Sequence, residues 1–175
     1  APSGTAQQAV IASARLAARL TVHLVHSVEA HGTGTSLGDP IEVGALCAVQ
    51  SKVQSAALGG VKANAGHAEP VAGLLGLVAV VATPQRLPGI MPNAQLRAVN
   101  PHLTPSVGTG FNLPTAAPAL HKAEDAYTGT SAFGYSGTIA HAVLAADHGS
   151  IHIDLPRPTH IRFRGRTFAW ETPLP

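Results

Sequence analysis

The stretch VEAHGTGTSLGDPIE, residues 28–42, decides how the rest of this chain is read. It closes a run, VHLVHSVE (residues 22–29), whose apolar side chains fall on both faces. That pattern predicts a strand covered on both sides, as in a parallel sheet. A glycine-threonine loop follows from His31 to Thr35, and then Asp39-Pro40-Ile41-Glu42 reads as a helix start. Asp39 is expected to cap, Pro40 to take the first helical position, and Glu42 to complete an aspartate version of the capping box. In such strand–loop–helix units the loop beyond the strand is where function sits. Its backbone N–H groups can bind anions or carbonyl oxygens, and glycine permits close approach. The hydroxyls of Thr33 and Thr35 add donors and acceptors at the rim, and His31 stands where the strand leaves the sheet.

Outward from this stretch, β and α patterns alternate. Residues 7–20 are alanine-rich and predict a helix with Val10, Ala14 and Ala17 on one side. The helix opened at Asp39 is expected to reach residues 51–54. A short strand over 58–62 leads to a second loop with Lys62 and His67, where Lys62 beside an acid such as Glu69 reads as an ion pair. If the two strands are neighbours, both histidine loops open on the same edge of a parallel sheet. Glu69-Pro70 opens a further helix that carries the apolar residues 71–82 and must stop by Pro84. Residues 84–120 are rich in proline and turn residues. Residues 127–133 and 138–145 then read as a hairpin around the turn at 134–137. The reading is an α/β layered fold.

Composition narrows the function. The 175 residues are 45% hydrophobic, enough for a real core, and only 11% charged, against about 25% in ordinary domains. A surface this poor in charge suggests burial against something else. The net charge of +2 gives no reason to expect nucleic acid or an anionic membrane. One cysteine excludes a disulfide framework and a cysteine-based zinc site. The longest apolar run has 12 residues, too short to span a bilayer. A start at Ala1 without a signal-peptide pattern reads as a fragment or processed piece.

Three segments carry the chemistry: residues 28–42, GVKANAGHAE (residues 60–69) and SAFGYSGTIAH (residues 131–141). In the third, Phe133 and Tyr135 flank a glycine-rich turn that could offer N–H groups to an oxyanion beside an aromatic gate. Together the three resemble the β-ketoacyl synthases, whose usual strings are close to VEAHGTGTxLGDPIE, VKSNIGHTEAAAGxAGL and SSFGFSGTNAHxxL, in this order. Pro92-Asn93 and Asn100-Pro101 resemble the family's PPNL…NP stretch. The resemblance runs from about Gln7 to Ala146, and the tail ending Phe168-Ala-Trp170 is similar to the linkers after ketosynthase domains.

The resemblance implies a thiolase-like fold, an αβαβα sandwich, of which this chain is the C-terminal half. It also implies a division into a ketosynthase part (1–146) and a post-ketosynthase linker or extended arm (147–175). The implied reaction is a decarboxylative Claisen condensation in polyketide or fatty-acid synthesis. By similarity His31 and His67 match the catalytic histidines, and Lys62 the lysine that holds their network. Thr33 and Thr35 match contacts to the phosphopantetheine arm. Tyr135 matches a gating aromatic whose N–H helps form the oxyanion hole, with Phe133 beside it on the substrate. No cofactor or metal is implied. The partners are acyl carrier protein, the N-terminal half with its nucleophilic cysteine, and a second copy in a homodimer, in a cytoplasmic or plastid setting.

Several residues depart from the pattern. Cys47 lies inside the helix after Asp39 and matches no catalytic motif, so the chain as given is expected to be inactive alone. Ile139 stands for the usual Asn, and Ala63, Ala65 and Ala68 for Ser, Ile and Thr. One rival reading is a non-catalytic thiolase-fold module: the retained histidines and lysine speak against it, and the missing nucleophile leaves it open. A second is a nucleotide-binding module, but Gly32, Gly34 and Gly38 are spaced one residue too far apart for that fingerprint. A metal site at His148 and His152 would need a helix that Gly149, Ile151 and Ile153 disfavour.

Overall fold

The computed structural model describes residues 2–50, 55–83, 90–93, 95–103, 110–116 and 127–145. The proposed linker (147–175), its boundary at 146 and the His148/His152 pair lie outside the described residues. Four helices, α1 (Gly4–Ala17), α2 (Gly38–Val49), α3 (Lys62–Ala65) and α4 (Ala72–Ala82), accompany five strands. The strands are β1 (Val25–Glu29), β2 (Ala56–Gly59), β3 (Phe111–Asn112), β4 (Tyr127–Phe133) and β5 (Ile139–Ala145). They form one sheet in the order β3-β2-β1-β4-β5. The first four run parallel, and β5 returns antiparallel to β4, with Phe133 opposite Ile139.

The expected strand neighbours are present, with Val28 paired in register to Leu58 on one side and Gly129 on the other. Because β1 is flanked on both edges, the chain reverses its direction of sheet growth between β1 and β4. Crevices at such reversals, outside the carboxyl ends of the strands, are where α/β sheets place ligands.

The two faces of the sheet differ in chemistry. Val25, Val28, Leu58 and Phe111 pack with Ile11 of α1 and Val43 and Leu46 of α2 into the apolar core. The Arg15 guanidinium ties α1 to the end of α2 by donating to the Val49 carbonyl at 2.6 Å. The opposite face, under α4, carries buried Ser27, Glu29, Thr128 and Thr130. Ser27 and Thr128 satisfy one another there at 2.8 Å. Helix α4 can lie this close because it turns glycines inward. A Cβ on Gly73 would stand 2.8 Å from the Ala132 Cβ, and one on Gly76 would touch the Glu29 and Thr130 side chains. The outer face of α4 leaves Leu74, Val78 and Val81 more than half exposed. No helix among the described residues is long and apolar enough to cross a membrane.

Several expectations need correction. Helix α1 begins three residues early, where the Ser3 hydroxyl accepts the Ala6 N–H, and it buries Gln7 and Ile11 while Ala17 is exposed. The strand expected over 22–29 starts with a 3₁₀ turn, so only its last five residues form the strand. Helix α2 ends at Val49, short of 51–54. Asp39 does not cap it. The Thr35 hydroxyl accepts the Gly38 N–H at 3.0 Å, and Asp39, inside the first turn, accepts the Gly34 N–H. Strand β2 ends at Gly59, which puts Lys62 on the first turn of α3. The two-residue β3 is too short for any alternation to announce it.

The approach of α4 gives a direct test. Gly73→Ala adds a methyl that the rigid Ala132 Cβ cannot evade, an overpacking cost of about 1–3 kcal/mol. The gain in helix propensity returns only about 1 kcal/mol. Urea unfolding of the domain containing this substitution should show a net loss of stability, and a net gain would show that α4 sits farther from β4.

Candidate active site

Three loops meet at the carboxyl ends of β1, β2 and β4. The first carries His31, the second, which includes the short α3, carries Lys62 and His67, and the third carries Tyr135 beyond Phe133, the last residue of β4. The His31 and His67 rings stand perpendicular with centroids 6.1 Å apart, and the Phe133 ring lies 5.8 Å from His31. Residues 31, 67 and 133, far apart in sequence, thus form one cluster at the point where the sheet reverses.

Each histidine loop is held by a specific bond. The Glu42 carboxylate, 3% exposed, accepts the His31 N–H at 2.7 Å and the Gly32 N–H at 2.9 Å. Glu42 therefore clamps the loop before its helix and does not close a capping box with Asp39. Gly32 and Gly34 adopt positive φ, a conformation that favours glycine. In the second loop, the His67 Nδ1 accepts the Glu69 N–H at 2.8 Å. That bond places the proton of the neutral imidazole on Nε2, leaving Nε2–H as a donor.

Burial shapes the electrostatics. Desolvation, followed by repulsion from Lys62 and His67, lowers the His31 pKa from 6.5 to about 4, so its ring is neutral at ordinary pH. Desolvation raises the Glu29 and Glu42 carboxyls from 4.5 to about 7 against the N–H groups they accept. It also lowers Lys62, which Glu29 and Glu42 pull back up. The acids that act on Lys62 are thus Glu29 and Glu42, and not the expected Glu69. Sequence reasoning gave Glu29 no role beyond ending the covered strand, and it is 1% exposed.

The remaining expected site residues are placed as follows. The Thr33 and Thr35 hydroxyls lie 3.3 Å apart at the exposed rim, and Thr35 is engaged in starting α2. Phe133 is half-buried against His31, whereas the Tyr135 side chain is fully exposed and projects away from the cluster. Cys47 lies within α2 against the apolar core, and burial raises its thiol pKa. No group of three or more metal-ligating side chains occurs among the described residues.

The arrangement offers ring N–H donors from two imidazoles beside a half-buried ammonium, next to an apolar ring. That combination suits a carbonyl oxygen that gains negative charge.

The Glu42 clamp makes two checkable statements. In Glu42→Gln one of two acceptor oxygens becomes a donor that faces an N–H, so hydrogen exchange at His31 and Gly32 should accelerate and about 1–3 kcal/mol of stability should be lost. The pH dependence should change too. The folded Glu42 binds a proton between 4.5 and about 7 where the unfolded one does not, so its contribution to stability falls as pH rises through that window. His31 acts in the opposite sense: its contribution is present above 6.5 and is lost as pH falls through about 4. Denaturant unfolding across pH should show a more positive slope between 4.5 and 7 in Glu42→Gln than in the parent chain.

Comparison with known proteins places the chain in a family. Residues 1–90 match the family described as beta-ketoacyl synthase, C-terminal domain. The chain is 42% identical over 151 residues to erythronolide synthase EryA3 of Saccharopolyspora erythraea, covering 83% of this chain and 5% of that protein. It is 41% identical over 150 residues to spectinabilin polyketide synthase system protein NorA' of Streptomyces orinoci, covering 82% of this chain and 4% of that one. Among solved structures it resembles the module 1 ketosynthase of the bacillaene synthase of Bacillus amyloliquefaciens, with a TM-score of 0.74 and 31% identity over 84% of this chain and 26% of that one. The chain thus spans a small part of the curated relatives and about a quarter of the ketosynthase structures.

Proposed function

Because this chain belongs to the β-ketoacyl synthase family, as a C-terminal domain of the kind found in modular polyketide synthases, we propose that it supplies the histidine half of a condensing active site. Its fold is thiolase-like. The observation that carries the reading is the perpendicular pair of His31 and His67 at 6.1 Å, beside Phe133 where the sheet reverses.

The reaction is the decarboxylative condensation of a malonyl thioester with an acyl thioester. The malonyl carboxylate leaves as CO₂, and the electron pair of the broken C–C bond becomes an enolate. That enolate attacks the acyl carbonyl, a C–C bond forms, and the thiolate that held the acyl group departs. Negative charge gathers twice on a thioester oxygen. The Nε2–H of His67, fixed by the bond at Nδ1, and the neutral His31 ring donate to that oxygen. A neutral donor suits this task, because an imidazolium would surrender its proton to the enolate and quench it. The Lys62 ammonium disfavours protonation of His31 and so holds the histidine network in its neutral, donating form.

The rim hydroxyls of Thr33 and Thr35 bind the phosphopantetheine arm by which acyl carrier protein delivers its thioester; the arm is substrate and not a resident cofactor. Phe133 shields the reacting carbonyl, and Tyr135, with its backbone N–H, gates the entrance from the turn between β4 and β5. Tyr135 must swing inward to do so, since its side chain now points to solvent.

The nucleophilic thiol comes from the N-terminal half of the ketosynthase, because Cys47 faces the core within a helix and its thiol is held protonated. This chain by itself forms no acyl-enzyme. The exposed Leu74, Val78 and Val81 of α4 support such a companion half, since a charge-free helix face of this size is stable only when covered. The complete enzyme works as a homodimer.

In the ketosynthase that contains these residues, His31→Ala and His67→Ala should each lower condensation about 10²–10⁴-fold. Thr33→Val and Thr35→Val should raise KM for the carrier-bound substrate while largely sparing kcat. Product analysis by mass spectrometry reads both. Condensation at the parent rate in either histidine variant would end the assignment.

A further inference from the structure

Glu29 is the last residue of β1, in register with Gly59 of β2 and Thr130 of β4. Its side chain is 1% exposed and lies under Gly76 of α4. One carboxylate oxygen, Oε1, accepts the Val61 N–H at 2.6 Å, the first anchor of the turn from β2 into α3. The other, Oε2, is buried without a hydrogen-bond partner. A buried carboxylate with an unused oxygen is costly unless a charge stands near it. The Lys62 ammonium, one residue beyond Val61, acts on Glu29 electrostatically. Among the described elements around Glu29, α4 carries no charged residue, and β2 and β4 present Gly59 and Thr130. From the remaining elements Lys62 also faces Glu42, while His31 faces Lys62 and His67, and Glu42 faces Asp39.

We propose that Glu29 is a positioning residue of this site: it fixes the β2–α3 turn through the Val61 N–H and holds the Lys62 ammonium, charged, beside the two histidines. The role assigned to Lys62 rests on the ketosynthase reading, but the pairing of Glu29 with Lys62 can be read without activity. Glu29 and Glu42 then act as a matched pair. Each accepts backbone N–H groups from one histidine-bearing loop, and both support the same lysine from different elements. A strand-end carboxylate thereby sets the protonation of a residue on the next strand's loop.

The test uses the intact ketosynthase and the variant Glu29→Gln. Glutamine keeps a carbonyl oxygen for the Val61 N–H and nearly the same shape, so it removes charge while sparing the anchor. The ionisation of Lys62 is read by trace acetylation with acetic anhydride across the alkaline range and mass spectrometry of the Lys62 peptide. The expected result is a midpoint lower by about one pH unit, a tenfold shift in the amine-to-ammonium ratio. Condensation should show the alkaline limb of its kcat–pH profile moved down by the same unit. Glu29→Asp, which keeps the charge, should hold the parent midpoint.

An unchanged Lys62 midpoint in Glu29→Gln would overturn the proposal, and so would a loss of kcat without any midpoint shift, which is what a purely structural role would give. If Glu29→Gln does not fold, Lys62→Met reads the same pairing from the other side. Without the ammonium, Glu29 should stay protonated to higher pH, seen as a growing infrared band of a protonated carboxyl, and a band unchanged from the parent overturns the pairing. Failure of the ketosynthase reading looks different: the parent enzyme would neither decarboxylate nor condense, while the labelling midpoint still moved.

Discussion

The parallel pairing of β1 on both its edges is the constraint from which the rest follows. A strand with neighbours on each side must be covered on both faces, so β1 carries apolar Val25 and Val28 toward α1 and α2 and small or hydrogen-bonded polar groups toward α4. Parallel neighbours also end at the same edge. The loops leaving β1, β2 and β4 therefore emerge together, which is why histidines 36 residues apart in sequence come within ring contact. The glycines of α4 complete the arrangement by letting an apolar helix rest on a polar stripe.

Local loop geometry is maintained by buried carboxylates as well as by the loops' own turns. Glu42 and Glu29 each accept main-chain N–H groups at the base of one loop. Burial costs these carboxylates solvation, and the N–H groups, with the ammonium of Lys62, offset part of that cost. The same burial keeps His31 neutral. His31 and His141 stabilise the fold increasingly from about pH 4 to 6.5, while Glu29 and Glu42 do so decreasingly from 4.5 to about 7. Over their common window these four groups oppose one another, so neither set dominates the acid response.

The sequence made the site's residue types and the α/β layering legible, because apolar runs, glycine loops and motif spacing are local signals. His31 and His67 read as loop residues beyond neighbouring strands, as the structure has them, while Lys62 opens α3; the hairpin of β4 and β5 was visible in its alternation. What could not be read were long-range contacts. Glu42 looked like a capping residue because Asp-Pro-x-Glu has that local form, while its partners are N–H groups ten and eleven residues back. Glu29 was read only as the end of a covered strand, because its role depends on Val61 and on Gly76 of α4, which are distant in sequence. Phe133 and Tyr135 looked equivalent two residues apart, yet alternation in β4 turns one toward His31, and the turn sends the other outward.

The strand order also has a kinetic side. Ser27 of β1 meets Thr128 of β4 across 101 residues of chain. During synthesis at about 5–20 residues per second, that separation leaves one edge of β1 without its partner for about 5–20 s. For that interval the central strand behaves as an edge strand, with its unpaired N–H and C=O groups and no closing β5 beyond it. Contacts of such long sequence separation form late and slowly. The half-site containing Phe133 is therefore the last to join, and the nascent chain is most open to mispairing or chaperone capture just before its aromatic ring reaches His31.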